Sequence, residues 1–118
     1  MITRYQDIPN YITKDGSTIR ELMHPDSHGN LKQSLAEATV PSGTQTQLHL
    51  HKQSEEIYYI TRGQGVMTIG ENKFSVKVGD SILIPPNTPH QIQNDHSEDL
   101  IFLCMCSPAY SHQDTILL

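Results

Sequence analysis

The chain has 118 residues, the length of one ordinary domain, so we expect a single hydrophobic core and no second lobe. Its 8 Lys and Arg against 13 Asp and Glu give a net charge of -5. This balance argues against a nucleic-acid partner, because no surplus of cations is available to displace counterions from phosphates. With 36% hydrophobic residues, 7 Gly and 7 Pro, the composition is typical of a turn-rich globular domain and excludes a disordered or fibrous chain.

The sequence has no segment typical of a signal peptide or of a membrane-spanning helix. Residues 1–7 contain no apolar stretch, and the longest apolar run, 100–106, is far shorter than the roughly 20 residues that a spanning helix needs. The two cysteines, Cys104 and Cys106, lie two positions apart in that run, too widely spaced on a strand for an easy disulfide. We therefore predict a cytoplasmic protein with two buried free thiols and no membrane partner.

Short β-type segments alternate with turn residues along most of the chain, and helical periodicity is missing. We predict an N-terminal arm over residues 1–32, with an edge strand at Thr18–Met23, a barrel core over 33–107 and a C-terminal tail over 108–118. The predicted strands of the core are Gln33–Val40, Thr46–His51, Glu56–Thr61, Gly65–Ile69, Lys73–Val78, Ser81–Ile84, Pro89–Asn94 and Leu100–Cys106. This series predicts an all-β sandwich or barrel, in which a sheet buries one face and hides its edges.

Two histidines separated by a single residue carry the first chemical signal. On a strand, His49 and His51 leave the same face with Cβ atoms about 6.6 Å apart, a span that two metal–nitrogen bonds can bridge. A polar turn follows, and a hairpin there returns a carboxylate beside the two rings. We choose Glu56 over Glu55 because Glu56 shares a strand face with Tyr58. A pair of solvated surface histidines is the alternative.

Three further polar residues are candidates for the surroundings of such a site. By strand alternation Gln47 faces the same way as the two histidines, where its amide can hold a substrate oxygen. Tyr58 projects inward and can donate a proton, or else it packs in the core with a satisfied hydroxyl. Arg20 either binds a substrate carboxylate or forms a surface ion pair. Gln47 and Tyr58 are our predicted catalytic residues.

Two stretches together resemble the paired signatures of the cupin superfamily. Residues 43–63 resemble the first signature at every fixed position, and residues 79–94 resemble the second with one departure, Asn87 in place of a usual glycine. Asparagine tolerates positive φ, so the departure is mild. The matching residues are Gly43, His49, His51, Glu56, Gly63, Gly79, Pro85, His90 and Asn94. The resemblance implies a small single-domain cupin, a β-barrel or jelly roll, with metal ligands His49, His51, Glu56 and His90.

The function implied by this resemblance depends on the metal. Three imidazoles and one carboxylate suit one divalent transition metal per chain, Mn, Fe, Co, Ni, Cu or Zn, with a position left for substrate or water. Our main hypothesis is a metal-dependent lyase, isomerase or dioxygenase that acts on a small oxygenated substrate such as a hydroxy or sugar acid, an enediol or a phenol. The alternatives are a non-enzymatic ligand-binding or metal-binding module and a scaffold with a structural metal. Cupins are commonly homodimers, so we expect a homodimer.

Overall fold

Two facing antiparallel β-sheets make up the structure, a computed structural model that describes all 118 residues. A 3-10 turn at Tyr5–Asp7 and one helical turn, α1 (Pro25–His28), are its only helical elements. The strands are β1 (Asn10–Ile12), β2 (Thr18–Met23), β3 (Ser34–Val40), β4 (His49–His51), β5 (Glu55–Arg62), β6 (Gln64–Ile69), β7 (Asn72–Lys77), β8 (Ser81–Ile84), β9 (His90–Gln93), β10 (Leu100–Ser107) and β11 (Thr115–Leu117). No helix is long and apolar enough to span a bilayer.

The strand order confirms the predicted all-β jelly roll. One sheet has six strands in the order β1-β2-β3-β10-β5-β8, and the other has five in the order β11-β4-β9-β6-β7. Each predicted core strand is present, but β4 is shorter than expected, because before His49 only an isolated bridge between Gln45 and Gln93 joins the chain to β9. Neighbours such as β4 and β9 are distant in the chain, so loop crossings between the sheets close the fold around an interior.

The interior is built by strand alternation, which places every second residue on the inner face. On β5, Glu56, Tyr58 and Ile60 are buried whereas Ile57 and Tyr59 are exposed, as the sequence predicted. The innermost part is apolar and includes Phe102, Ile60, Met67 and Ile92, each at most 1% exposed. Burial at about 25 cal/mol per Å² of apolar surface makes this cluster the main source of stability.

Both chain ends are part of the sheets. β2 was predicted as an edge strand, but it pairs with both β1 and β3 and lies within the six-stranded sheet, so that β1 forms the edge instead. β11, which the sequence analysis did not predict, pairs with β4 and places Thr115 opposite His51. Arg20 points away from the interior: its guanidinium stacks over the Tyr5 ring and donates to the Ile8 carbonyl. The C-terminal strand therefore flanks β4, which carries two of the histidines, whereas the N-terminal strands extend the opposite sheet.

Two turn residues explain features of the sequence signatures. Gly63 adopts φ +78°, and a Cβ there would lie 2.4 Å from the carbonyl oxygen of Asp99, so any side chain would force the backbone apart. Asn87 is the one non-glycine residue with positive φ, at 59°, and its N–H donates to the His51 carbonyl at 2.6 Å. Asparagine thus takes over the role of the usual glycine, as predicted, and ties this turn to β4.

Candidate metal centre

Three buried histidines converge between the two sheets. His49 and His51 lie on β4 and His90 lies on the neighbouring β9, directly opposite His49. One ring nitrogen of each lies within 4.8 Å of one ring nitrogen of the other two. Their exposed fractions are only 2%, 4% and 0%. The predicted common face of His49 and His51 is thus present, and the three rings form a group that can hold a metal ion.

A carboxylate from the opposite sheet completes this group. Oε1 of Glu56 lies 3.2 Å from Nε2 of His51 and 3.6 Å from Nε2 of His90. Oε2 accepts a hydrogen bond from the Cys106 thiol at 3.0 Å, which fixes the carboxylate plane. Oε1 of Glu56 and Nε2 of His90 are fully buried and have no hydrogen-bond partner. Buried polar atoms are almost always paired, so these two atoms fit the nitrogen and oxygen ligands of a divalent transition metal.

The second nitrogen of each ring is held by a hydrogen-bond acceptor. Nδ1 of His49 donates to the Gln47 carbonyl at 2.6 Å, and Nδ1 of His90 donates to the Thr88 carbonyl at 2.9 Å. Nδ1 of His51 contacts Oγ1 of Thr115 at 3.0 Å; because that hydroxyl donates its only proton to the Ser111 carbonyl, it accepts from His51. In the neutral rings the Nε2 atoms are therefore bare, which is the tautomer that a metal requires.

Burial and charge shift the titration of the site residues. Burial lowers the pKa of His49, and the neighbouring His90 lowers it further, so the ring stays neutral and available as a ligand. Burial alone would raise the pKa of Glu56, but the adjacent His51 and His90 rings hold it well below its usual range. Burial, followed by the Glu56 charge, raises the pKa of Tyr58 far above its usual value. Tyr58 therefore keeps its proton at neutral pH.

His49, His51 and Glu56 open onto an internal cavity. The centre of a water molecule can occupy a volume of about 40 Å³ inside this cavity. Tyr58, Phe102 and Tyr110 form part of the cavity wall. The Tyr58 ring stacks on Phe102 with a centroid distance of 4.4 Å and meets the His90 ring edge-on at 6.3 Å. Tyr58 thus lies beside the site, where the sequence predicted it.

Gln47 is placed differently from the prediction. The chain forms no regular strand from Thr46 to Leu48, so the alternation that was extended back from His49 does not hold there. Gln47 is exposed and is not part of the cavity wall, whereas Thr46 is buried. The predicted inward amide is therefore absent. The backbone of Gln47 still serves the site through its carbonyl, which accepts from His49.

Three residues that contact the proposed ligands were not predicted as site residues. Asp15, in the loop before β2, places Oδ2 at 3.5 Å from Nε2 of His49. Thr115 orients His51, and Cys106 orients Glu56. Thr115 belongs to the C-terminal tail, which therefore reaches the site. Strand alternation along β10 predicted that Cys104 and Cys106 share one face. No local pattern marks Asp15 or Thr115.

Comparison with known proteins gives this geometry a family context. The cupin domain family matches residues 36–106. An uncharacterized protein of Methanocaldococcus jannaschii is 57% identical over 98% of this chain and 93% of its own length. An oxalate-binding protein of Thermotoga maritima is 33% identical, over 73% of this chain and 67% of its own. A crystal structure from T. maritima, described as a predicted oxalate decarboxylase, superposes with a TM-score of 0.80 at 25% identity, covering 92% of this chain and 99% of that one. The chain belongs to the cupin family.

Proposed function

We propose that this cupin is a metal-dependent enzyme that acts on a small oxygenated molecule, as a lyase, isomerase or dioxygenase. His49, His51, His90 and Glu56 would hold one divalent transition metal, drawn from Zn, Mn, Fe, Ni, Co and Cu. The observation that carries the proposal is the fixed tautomer of the three buried histidines, each with Nδ1 bound to an acceptor and Nε2 left bare beside an unpaired carboxylate oxygen. The alternative of solvated surface histidines does not fit rings that are at most 4% exposed.

The chemistry that a bound divalent ion supplies in such a site is Lewis-acid polarisation of a substrate oxygen or activation of oxygen. The residues of this chain position the ligands. The Cys106 thiol donates to Oε2 of Glu56 and so orients that carboxylate, and Oγ1 of Thr115 orients the His51 ring. The aromatic rings of Phe102 and Tyr110 form part of the cavity wall.

Tyr58 is the catalytic residue that we propose beside the metal. Its hydroxyl group is neutral because burial raises the pKa of Tyr58 well above the ordinary value. A neutral phenol in a cavity wall can donate a hydrogen bond to negative charge that develops on a substrate oxygen. Gln47, which is exposed outside the cavity, has no part in this proposal.

A non-enzymatic binding module is the second candidate function. The observation that favours it is the name of the T. maritima relative, an oxalate-binding protein, which is 33% identical to this chain. A metal-binding module would use the same four ligands, whereas a module for a small ligand would not depend on the metal. The two candidate functions differ in turnover: a binding module holds its ligand unchanged, whereas an enzyme converts it.

The test of the proposal is the native metal content. Protein purified without chelator or nickel resin is expected to contain about one divalent transition metal per chain by mass spectrometry. The His49→Ala/His90→Ala variant, handled identically, is expected to contain none, because it lacks two of the four ligands. Equal metal content in the two proteins, or none in either, would contradict the proposal. Iron would direct the search for activity to oxygen consumption, and the other metals to isomerisation or elimination.

We also propose a cytoplasmic homodimer. The two free, buried cysteines support a reducing compartment. Support for the dimer comes from the outer face of the six-stranded sheet, where four apolar side chains lie in one row across β3, β10, β5 and β8: Leu35, Met105, Ile57 and Leu83. Ile57 and Leu83 are 38% and 56% exposed, which is unusual for adjacent apolar residues. Light scattering is expected to give the mass of two chains, and a monomer at micromolar concentration would contradict it.

A further inference from the structure

The cavity wall contains acidic side chains and no basic Lys or Arg side chain. Three acidic side chains, Asp15, Glu21 and Glu56, line it, and no lysine or arginine does. Arg20 is engaged outside the cavity with Tyr5 and Ile8, and the Lys14 ammonium donates to the carbonyls of His112 and Thr115. If the site holds a divalent cation, Glu56 and Asp15 already balance its charge, and Glu21 adds a further negative charge. The cavity wall has no lysine or arginine that could neutralise a carboxylate on the substrate.

Asp15 is held in a defined orientation. Its Oδ1 accepts hydrogen bonds from the backbone N–H and the hydroxyl of Ser17, at 3.0 and 2.7 Å, and Ser17 is itself only 4% exposed. The carbonyl of Asp15 accepts from the Gln47 N–H at 2.8 Å, which joins this loop to the segment that leads into His49. The second carboxylate oxygen, Oδ2, is thereby aimed at Nε2 of His49, 3.5 Å away.

The two carboxylates lie on different sides of the histidine group. Glu56 is close to His51 and His90, whereas Asp15 is close to His49. Glu56 fits the role of a ligand because its unpaired Oε1 and the unpaired Nε2 of His90 are fully buried. Asp15 comes from the N-terminal loop, and its side chain remains 12% exposed on the cavity wall. A molecule that enters the cavity and approaches the histidines therefore meets Oδ2 of Asp15.

We propose that Asp15 determines the substrate class of the site: it accepts a hydrogen bond from a substrate hydroxyl and, with Glu21, rejects substrates that carry a carboxylate. The preferred ligand is a small uncharged molecule with adjacent hydroxyl and carbonyl oxygens. This inference rests on the proposed function, because it assumes a metal at the histidines. It narrows the substrate from oxygenated molecules in general to uncharged hydroxycarbonyl compounds and diols, and it sets acids aside.

The test uses two probes that differ at one end only. Dihydroxyacetone is uncharged, and hydroxypyruvate carries a carboxylate in place of one hydroxymethyl group. The protein is loaded with Co²⁺, whose visible absorption responds to ligands, and each probe is titrated into it. Wild-type protein is expected to bind dihydroxyacetone more tightly. In Asp15→Asn the ratio of the two affinities is expected to move about tenfold towards hydroxypyruvate, because a charge repulsion and a hydroxyl acceptor are both weakened.

The matched control is Asp95→Asn, which removes the same charge from a half-exposed position away from the cavity. Its affinity ratio is expected to equal that of the wild type. Asparagine at position 15 can still accept from Ser17, and an unchanged melting temperature would show that the loop is intact.

The outcomes distinguish failure of the proposed function from failure of the inference about Asp15. A protein that takes up no Co²⁺ overturns the proposed function and this inference with it. A loaded protein that prefers hydroxypyruvate, or an Asp15→Asn variant with the wild-type ratio, overturns the inference alone and leaves the metal site standing.

Discussion

Saturating divalent metal is expected to raise the melting temperature of the wild-type protein by about 15 °C and to leave that of the His49→Ala/His90→Ala variant nearly unchanged. A ligand present at about 1,000 times its dissociation constant stabilises the folded state by about 4 kcal/mol. In a domain of this length about 1 kcal/mol corresponds to roughly 4 °C. The effect is large because the four ligands come from both sheets, so that the metal would cross-link β4, β9 and β5.

The measurement is a thermal melt of chelator-treated protein with and without Zn²⁺ or Mn²⁺. The metal-induced shift is compared within each protein, because removing two buried histidines changes the starting stability by itself. His96→Ala is the control: this histidine is 44% exposed and lies outside the cavity, so the variant should keep the full shift. Equal shifts in the wild type and the double variant would place the metal elsewhere.

Replacing Phe102 by alanine is expected to destabilise the protein by about 3–5 kcal/mol, which is the range for deleting a large buried side chain. Phe102 is 1% exposed and belongs to the buried apolar cluster. It also stacks on Tyr58 with a centroid distance of 4.4 Å. The loss of Phe102 would therefore enlarge the cavity and free the proposed catalytic tyrosine. Chemical denaturation gives the free energy of unfolding.

The second phenylalanine of the chain supplies the matched control. Phe74 lies on β7 and is 39% exposed, so Phe74→Ala removes the same atoms from a half-solvated position. Its cost should stay near 1 kcal/mol, because little apolar surface returns to water and no closed cavity forms. Similar losses for the two variants would contradict the burial of Phe102 in the apolar core.

The sequence was sufficient where the relevant residues are close together in the chain. His49 and His51 show their common face through a spacing of two, and Glu56 follows one turn later. His90 came only from the resemblance to the second cupin signature, since nothing local in the sequence ties it to β4. Strand alternation predicted the wrong direction for the Gln47 side chain, because the backbone before His49 is irregular and does not form a strand. Periodicity carries information only as far as the regular element extends.

The remaining site residues depend on contacts between distant segments. Thr115 meets His51 across 64 positions, and Cys106 meets Glu56 across 50. Asp15 reaches His49 only because its loop is fixed by Ser17 and by the backbone of Gln47. No local pattern encodes such pairings, because they arise from the order of the strands in the two sheets. The same holds for Arg20, whose direction is set by Tyr5 and Ile8.

The strands that carry the histidines and two of the residues around the histidines come from different parts of the chain. The region matched by the cupin family, 36–106, contains all four proposed ligands, whereas Asp15 and Thr115 lie before and after it. A comparison confined to residues 36–106 would therefore omit two residues that contact the proposed ligands.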